Sequence, residues 1–189
     1  MRPLEIFTPL LLAVYLLWPH PRPFVIRFVP VIALIVILIH FFVEGYRWQM
    51  IPLYALTLIL FVLAIFVREM KPIASISILI LLLLSTALPI LLPVPKIPAP
   101  SGPLSVGTVI YEFTDTTRKE LYSGKDEARR FMVQAWYPAD IKPSDERAPW
   151  MSDAEIYAPA IATHIDLPSY FLDHLALVEI PAYKDAQVA

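Results

Sequence analysis

The stretch that decides the fold is Ile73–Val94, IASISILILLLLSTALPILLPV, which carries no charged side chain. A second stretch, Met50–Val67 (MIPLYALTLILFVLAIFV), is equally free of charge. A helix that crosses a membrane needs about 20 consecutive, mostly apolar residues, and both stretches come to about that length. Both are therefore predicted to be membrane-spanning helices.

Two weaker apolar blocks precede these stretches. Phe28–Val43 reaches spanning length only when it extends back to Phe24, which places Arg27 at a membrane face where its long side chain can reach the headgroups. Ile6–Trp18 is the weakest block, with Glu5 at its edge. The connectors between blocks contain prolines and charges, which interrupt helices. The sequence thus predicts a transmembrane helical anchor over residues 1–95, with spans at about 4–19, 24–43, 49–67 and 73–92.

Composition and charge divide the chain at the same place. Hydrophobic residues make up 58% of the chain, above the ~45–50% that is usual for soluble domains. Residues 1–95 carry a net charge of +3 and residues 96–189 a net charge of −5. An acidic soluble half without clustered Lys or Arg argues against nucleic acid as a partner. The chain has no cysteine, which excludes disulfides, thiolate metal sites and cysteine nucleophiles.

The distribution of Lys and Arg gives the expected orientation. The connectors after the first and third blocks hold four basic residues: Arg22, Arg27, Arg68 and Lys71. The opposite face holds three: Arg2, Arg47 and Lys96. The positive-inside rule then places both ends of the anchor outside the cytoplasm. We therefore expect an integral membrane protein of the plasma membrane with an extracytoplasmic soluble part.

Two other interpretations of the anchor stay open. The first block could be a signal peptide that begins with Arg2, although Trp18-Pro19-His20-Pro21 lacks the small residues that cleavage requires. A transporter or channel fragment would need ionisable residues inside its spans. Only His40 meets that description, near a block end where an interfacial or helix-packing role is the simpler interpretation. No paired charges indicate a transport path.

The residues that follow the anchor predict a linker and a β-hairpin. Residues 96–103 are rich in proline, which favours an extended spacer. Leu104–Phe113 (LSVGTVIYEF) and Arg130–Tyr137 (RFMVQAWY) alternate in the manner of half-buried strands. They are expected to pair antiparallel across a polar loop, with the second strand ending at Pro138.

Two short helices are expected after the hairpin. Ser152–Ala162 begins with the spacing of a capping box, in which Ser152 is the N-cap residue, and Pro159 should end or bend this helix early. Pro168–Val178 has apolar residues at intervals of three and four, which indicates a second helix. The loop-like residues Pro181–Ala189 complete the chain.

Two motifs in the soluble half occur in a fixed order. Gly102-Pro103-Leu104-Ser105-Val106-Gly107-Thr108 opens the first predicted strand, and Trp136-Tyr137-Pro138 closes the second. In this order and spacing they resemble the opening of platelet-activating-factor acetylhydrolase-like esterases, and the resemblance covers about residues 93–189. It implies an α/β-hydrolase fold that cleaves short acyl esters of lipids or phospholipids with a Ser-Asp-His triad. Residues 104–189 would then be the N-terminal fragment of an incomplete α/β-hydrolase domain.

The catalytic part of such an enzyme is missing from these residues. A nucleophilic serine in this fold needs a G-x-S-x-G turn, and the four glycines, Gly45, Gly102, Gly107 and Gly124, are nowhere four residues apart. The family's S-H-G run is also absent, so the sequence reads as truncated. We therefore predict no catalytic, cofactor-binding or metal-binding residue and no cofactor.

Several polar residues could suggest a site of their own: His164, His174, Asp166, Asp173, Ser152 and Ser169. Their spacings match none of the usual metal-ligand patterns. Solvent-exposed or capping roles are the expectation for them, and a packing role for Trp136 and Tyr137.

The sequence favours a membrane-anchored carboxylic ester hydrolase, present as a fragment without its triad and inactive by itself. Its expected partners are the lipid bilayer and, in the complete enzyme only, an ester or phospholipid substrate. The alternative is a non-enzymatic integral membrane protein with a small extramembrane module for binding or assembly.

Overall fold

The computed structural model describes residues 1–19, 21–67 and 70–189 and contains both helices and a sheet. Its chain divides into two compact units. The first unit contains Met1–Pro95 together with Asp153–Leu177, and the second contains Lys96–Ser152 together with Val178–Ala189. Residues 153–177 thus belong with the helices, whereas the sequence-based domain prediction grouped them with the strands. His20, Arg68 and Glu69, which contribute to the predicted connectors and to the charge count, lie outside the described residues.

The first unit is built from helices at the four predicted blocks. They are α1 (Pro3–Leu17), α2 (Phe24–Arg27), α3 (Val29–Val43), α4 (Ile51–Phe66), which a short 3₁₀ turn at Trp48–Met50 precedes, and α5 (Pro72–Leu91). The second block is interrupted at Phe28 because Pro30 has no N–H to donate to the preceding turn and instead occupies the first turn of α3.

Two of these helical segments are long and apolar enough to cross a membrane, Trp48–Phe66 and Pro72–Leu91. The other two apolar helices, α1 and α3, have 15 residues each, which corresponds to only ~22 Å of helix. The hydrocarbon core of a bilayer is ~30 Å thick, so neither α1 nor α3 reaches that length by itself.

The four long helices pack in a ring. α1 contacts α3 and α5, and α4 contacts the same two helices. The core between them is apolar, and its most deeply buried members include Leu12, Ala33, Leu53, Leu60 and Leu82. Most large apolar side chains on the opposite faces are exposed, such as Phe42 and Phe66. The helical unit therefore has a small apolar core and a largely apolar outer surface.

Two further helical segments complete the first unit. α6 (Ala154–His164) is followed by a 3₁₀ segment, Ser169–Leu177, in agreement with the two short helices that the sequence predicts. The predicted N-cap is wrong, because Asp153, in the left-handed conformation with φ of 53°, precedes the helix in place of Ser152. Of the two effects expected of Pro159, an early end of the helix does not occur, because α6 continues to His164.

The second unit is a five-stranded sheet in the order β3-β4-β1-β2-β5. Its strands are β1 (Ser105–Lys119), β2 (Ala128–Asp140), β3 (Arg147–Pro149), β4 (Glu179–Lys184) and β5 (Gln187–Val188). The predicted antiparallel hairpin is confirmed, with a register that runs from Ser105 opposite Ala139 to Asp115 opposite Arg129.

The ends of the strands differ from the prediction. β1 and β2 each extend beyond their predicted ends, β2 through Pro138 to Asp140. The expected loop over Pro181–Ala189 is wrong, because β4 pairs with both β1 and β3 and β5 pairs with the end of β2. The Tyr137 hydroxyl also donates a hydrogen bond to the Ala186 carbonyl at 2.6 Å. These partners are distant in sequence, so local alternation gave no sign of them.

Gly107 is required by a close approach inside the hairpin. The Tyr137 ring lies over this residue on the neighbouring strand, and a Cβ at position 107 would lie 2.6 Å from Tyr137 Cε2. Because the ring is held by its hydrogen bond to Ala186, it cannot move away freely.

We predict that Gly107→Ala destabilises the second unit by about 1–3 kcal/mol, the usual effect of overpacking. Thermal unfolding of the detergent-solubilised chain, followed by the circular dichroism of the sheet, measures the effect. Gly102→Ala is the matched control, since a Cβ at that position meets no atom within 4 Å. An equal midpoint for both variants would contradict the steric argument.

Candidate functional site

A buried polar network at one end of the helical unit is the site that the structure assembles. Its side chains come from the starts and ends of different helices: Arg2, Glu5, His40, Glu44, Arg47 and Tyr54. The N-terminus of α1, the C-terminus of α3 and the connector before α4 meet there, and the C-terminal carbonyls of α5 complete it. Each of the four long helices therefore has one end at this place: α1 and α4 their N-termini, α3 and α5 their C-termini. Consecutive long helices thus run in opposite directions.

Arg47 lies at the centre of the network and its side chain is 0% exposed. Its Nη1 donates to Glu5 Oε1 at 3.1 Å. Its Nη2 donates to the carbonyls of Pro89, at 3.4 Å, and of Leu92. The last carbonyls of a helix have no partner within the helix, so a guanidinium placed there satisfies them and interacts favourably with the helix dipole. One side chain thus joins the start of α1 to the end of α5.

The Glu5 carboxylate is fixed by hydrogen bonds from Arg2 as well as from Arg47. Its side chain is fully buried, and it accepts hydrogen bonds from the backbone N–H of Arg2 at 2.9 Å and from Arg2 Nε at 3.0 Å. The first of these is the reciprocal half of a helix-capping arrangement, in which a residue three positions into the helix bonds back to the N-cap. Glu5 therefore both caps α1 and neutralises Arg47.

Burial lowers the pKa of the Arg47 guanidinium below its usual value, while the Glu5 carboxylate opposes that shift. An arginine stays protonated across the physiological range even after such a shift. Arg47 is therefore a permanent buried cation, and the Glu5 carboxylate is what makes its burial tolerable.

His40 and Glu44 form the second half of the network. His40 Nε2 lies 3.6 Å from Glu44 Oε2 and 3.8 Å from Glu5 Oε1, and its Nδ1 lies 3.3 Å from the Tyr54 hydroxyl. Glu44 Oε1 accepts a hydrogen bond from the backbone N–H of Leu4 at 2.9 Å. This contact attaches the end of α3 to the first turn of α1.

The ligand atoms of Glu5, His40 and Glu44 lie within 4.8 Å of one another, so these residues could hold a metal ion by spacing alone. The charge of the site argues for a different use. Two carboxylates already face the two guanidiniums of Arg2 and Arg47, so the charges balance when His40 is neutral. A divalent ion would add an uncompensated buried charge unless a guanidinium left the site. The residues present fit an ion-pair clamp better than a metal centre.

The network adds to two expectations from the sequence. Glu5, at a block edge, contacts Arg47, in a connector, across 42 positions of sequence, a buried ion pair that local spacing does not indicate. His40 has a packing role, as expected, but within a polar network that the sequence did not indicate. The detectable signals were the i,i+3 spacing of Arg2 and Glu5 and the i,i+4 spacing of His40 and Glu44, which bring side chains together on a helix.

The other residues singled out from the sequence do not converge on one site. His164 and Asp166 are exposed, as expected, and so is Asp173. His174 is the exception, because its side chain is 4% exposed and bonded to Gln49, which overturns the expectation of an exposed role. Trp136 is more than half exposed, whereas Tyr137 packs on Gly107.

No family model, no curated protein and no solved structure matches this chain.

We predict that Arg47→Lys destabilises the helical unit although it keeps the charge. An ammonium group is compact and cannot contact Glu5 and two α5 carbonyls at once, so hydrogen bonds to a charged donor are lost, at a cost of about 2–4 kcal/mol. Denaturant unfolding in detergent micelles measures the change.

Arg130→Lys is the matched control for this substitution. Arg130 pairs with Glu112 on an exposed strand surface, where an ion pair contributes about 0–1 kcal/mol. Equal stability of the two variants would show that Arg47 does not join the helix ends.

Proposed function

We propose that this chain is the membrane-anchoring, N-terminal portion of a serine ester hydrolase similar to platelet-activating-factor acetylhydrolase-like enzymes. The observation that carries the proposal is the hairpin: the two motifs on which the resemblance depends, Gly102–Thr108 and Trp136–Pro138, contribute to neighbouring antiparallel strands in one register.

The surface of the hairpin supports a place in a larger sheet. Cross-strand pairs put apolar side chains on one face, with Phe113 opposite Phe131 and Tyr111 opposite Val133. Each of these four is exposed by more than a third, and the two phenyl rings stack at 5.7 Å. In an α/β fold such a face is covered by helices.

The outer edge of β2 supports the same interpretation. Among the residues that the structure describes, β5 pairs with β2 only at Ala139 and Asp140. The remaining edge residues of β2 are therefore available to a further strand. In a folded protein a long strand edge is normally paired with another strand or protected from pairing. The next strand of a hydrolase sheet would pair with this edge of β2.

We place residues 1–95 in the membrane as four spans, a finer statement than the two long apolar segments found in the fold. α2 and α3 together extend over residues 24–43, and α1 is followed by the interfacial aromatic Trp18. All four long helices have one end at the polar network, with N-termini and C-termini alternating along the chain. Four consecutive crossings of a membrane would give this arrangement. The basic connectors favour an extracytoplasmic sheet unit, at the plasma membrane.

In the proposed enzyme the chemistry belongs to residues outside these 189. Attack of an activated serine on a carboxylic ester would give a tetrahedral oxyanion, stabilised by hydrogen-bond donors, which expels the alcohol and leaves an acyl-enzyme. Water would then hydrolyse the acyl-enzyme to the carboxylic acid and the free serine. The residues described here would supply the anchor and the first strands of the sheet. An apolar ester that partitions into the bilayer, such as a phospholipid with a short acyl chain, suits an enzyme held at the membrane.

We predict that the 189-residue chain in detergent hydrolyses a short-chain nitrophenyl ester no faster than its heat-denatured form, because it holds no G-x-S-x-G nucleophile. A product of the reading frame extended past Ala189 should contain that motif, hydrolyse the ester and react with a fluorophosphonate probe.

The serine of the extended motif, changed to alanine, is the control and should abolish both signals. A stop codon directly after Ala189 would overturn the proposal. So would fluorophosphonate labelling of a serine within residues 1–189, because the nucleophile would then lie in a different place from the one proposed.

A further inference from the structure

The segment Asp153–Leu177, which we call the strap, packs on the polar end of the helical unit. It follows β3 and precedes β4 in the chain but belongs to the same compact unit as the long helices. Contacts between the strap and the connector before α4 hold it there. Neither the esterase resemblance nor the anchor accounts for this arrangement.

Aromatic residues make the first set of strap contacts. The Trp48 indole Nε1 donates to the carbonyl of Phe171 at 3.1 Å, and the Trp48 ring lies 5.6 Å from the Phe171 ring and 5.4 Å from the Tyr170 ring. Leu177 packs against Gly45, where an added Cβ would lie 3.0 Å from its Cδ2. These contacts are apolar or neutral and do not depend on pH.

One strap contact does depend on pH. Gln49 Nε2 lies 2.8 Å from His174 Nδ1, and both side chains are buried. A neutral imidazole can accept this hydrogen bond, whereas an imidazolium ring has donors on both nitrogens. Whichever way the Gln49 amide is turned, a charge on His174 would be removed from water with only a neutral amide as its partner.

The charged surroundings of His174 oppose a second cation. Arg47, in the connector beneath the strap, is a buried guanidinium whose field reaches the ring, and Asp173 is the anionic neighbour in the strap itself. The charged residues of α6, Glu155 and His164, are exposed. The turn Trp48–Met50 and α5 carry no charged residue.

We propose that His174 is a pH-sensitive latch that holds the strap on the helical unit while it is neutral and releases the strap when it is protonated. The released part is the strap alone, because the Arg47–Glu5 contact beneath it does not include His174.

The direction of the pH dependence follows from the buried state. Burial, and next the field of Arg47, lower the pKa of His174 below its ordinary value of 6.5, against the opposing effects of the Phe171 carbonyl and Asp173. When the strap is released, the pKa of His174 returns to its ordinary value. The docked state is therefore fully stabilised above pH 6.5 and loses stability as the pH falls through the lowered pKa.

The absence of cysteine in the chain allows a direct test by single-cysteine labelling. Leu177→Cys reports on the docked strap surface, and Ala160→Cys, at an exposed position of α6, reports on the intrinsic reactivity of a thiol at each pH. The ratio of their maleimide labelling rates in detergent micelles should be higher at pH 5 than at pH 8, because protonation of His174 releases the strap.

Two substitutions of the latch should each remove the rise of the ratio at pH 5. His174→Gln should make the ratio independent of pH. Gln49→Glu places a carboxylate beside the ring, which favours the imidazolium, so the ratio should stay low at pH 5. His164→Gln, an exposed histidine of the same strap, is the matched control and should behave like the parent.

A ratio in the parent that does not change between pH 8 and pH 5 would overturn the proposal. An unchanged pH dependence in His174→Gln would do the same, since the proton would then bind elsewhere. If His174→Gln does not fold, Gln49→Glu decides by itself, and a rise of its ratio at pH 5 equal to that of the parent counts against the latch.

Discussion

The contact between Arg47 and Glu5 is the interaction on which the helical unit depends. A guanidinium with no exposed surface is costly to bury, and the Glu5 carboxylate at 3.1 Å offsets that cost, while the carbonyls of Pro89 and Leu92 at the end of α5 accept hydrogen bonds from Nη2. Because Glu5 is itself fixed by Arg2, the start of α1 and the end of α5 cannot separate without leaving a charge unpaired in an apolar surrounding. Apolar packing brings these helices together, and the ion pair specifies which ends meet.

The same contact positions the residues next to it. Trp48 and Gln49 directly follow Arg47 in the chain, so the surface that receives the strap is set once the guanidinium is in place. The cation also acts on His174, whose burial beside it favours the neutral imidazole. A structural clamp and a proposed pH-dependent latch thus share one residue. In the proposed esterase, this arrangement would attach a segment between two strands of the hydrolase sheet to the membrane anchor.

The sequence predicts the parts of this fold that depend on local pattern. Long apolar blocks give the helices, and the alternation in Leu104–Phe113 and Arg130–Tyr137 gives the hairpin. The short strands β4 and β5 were not predictable in this way, because their stability comes from β1, β3 and β2, which are distant in sequence. The polar network was hidden for a related reason: its acidic and arginine side chains lie at or outside the edges of the apolar blocks, where a charged side chain usually faces water or headgroups. Only the packing of helix ends reveals that they face one another.

A double-mutant cycle on Glu5→Gln and Arg47→Gln tests the central claim most directly. The free energies of unfolding of the parent, both single variants and the double variant are measured by denaturant titration in detergent micelles. Our account predicts a coupling energy of about 3 kcal/mol, because Glu5→Gln leaves the Arg47 guanidinium buried without its carboxylate, a cost that is absent from the double variant. A coupling energy below about 0.5 kcal/mol, the value of an exposed ion pair, would contradict it.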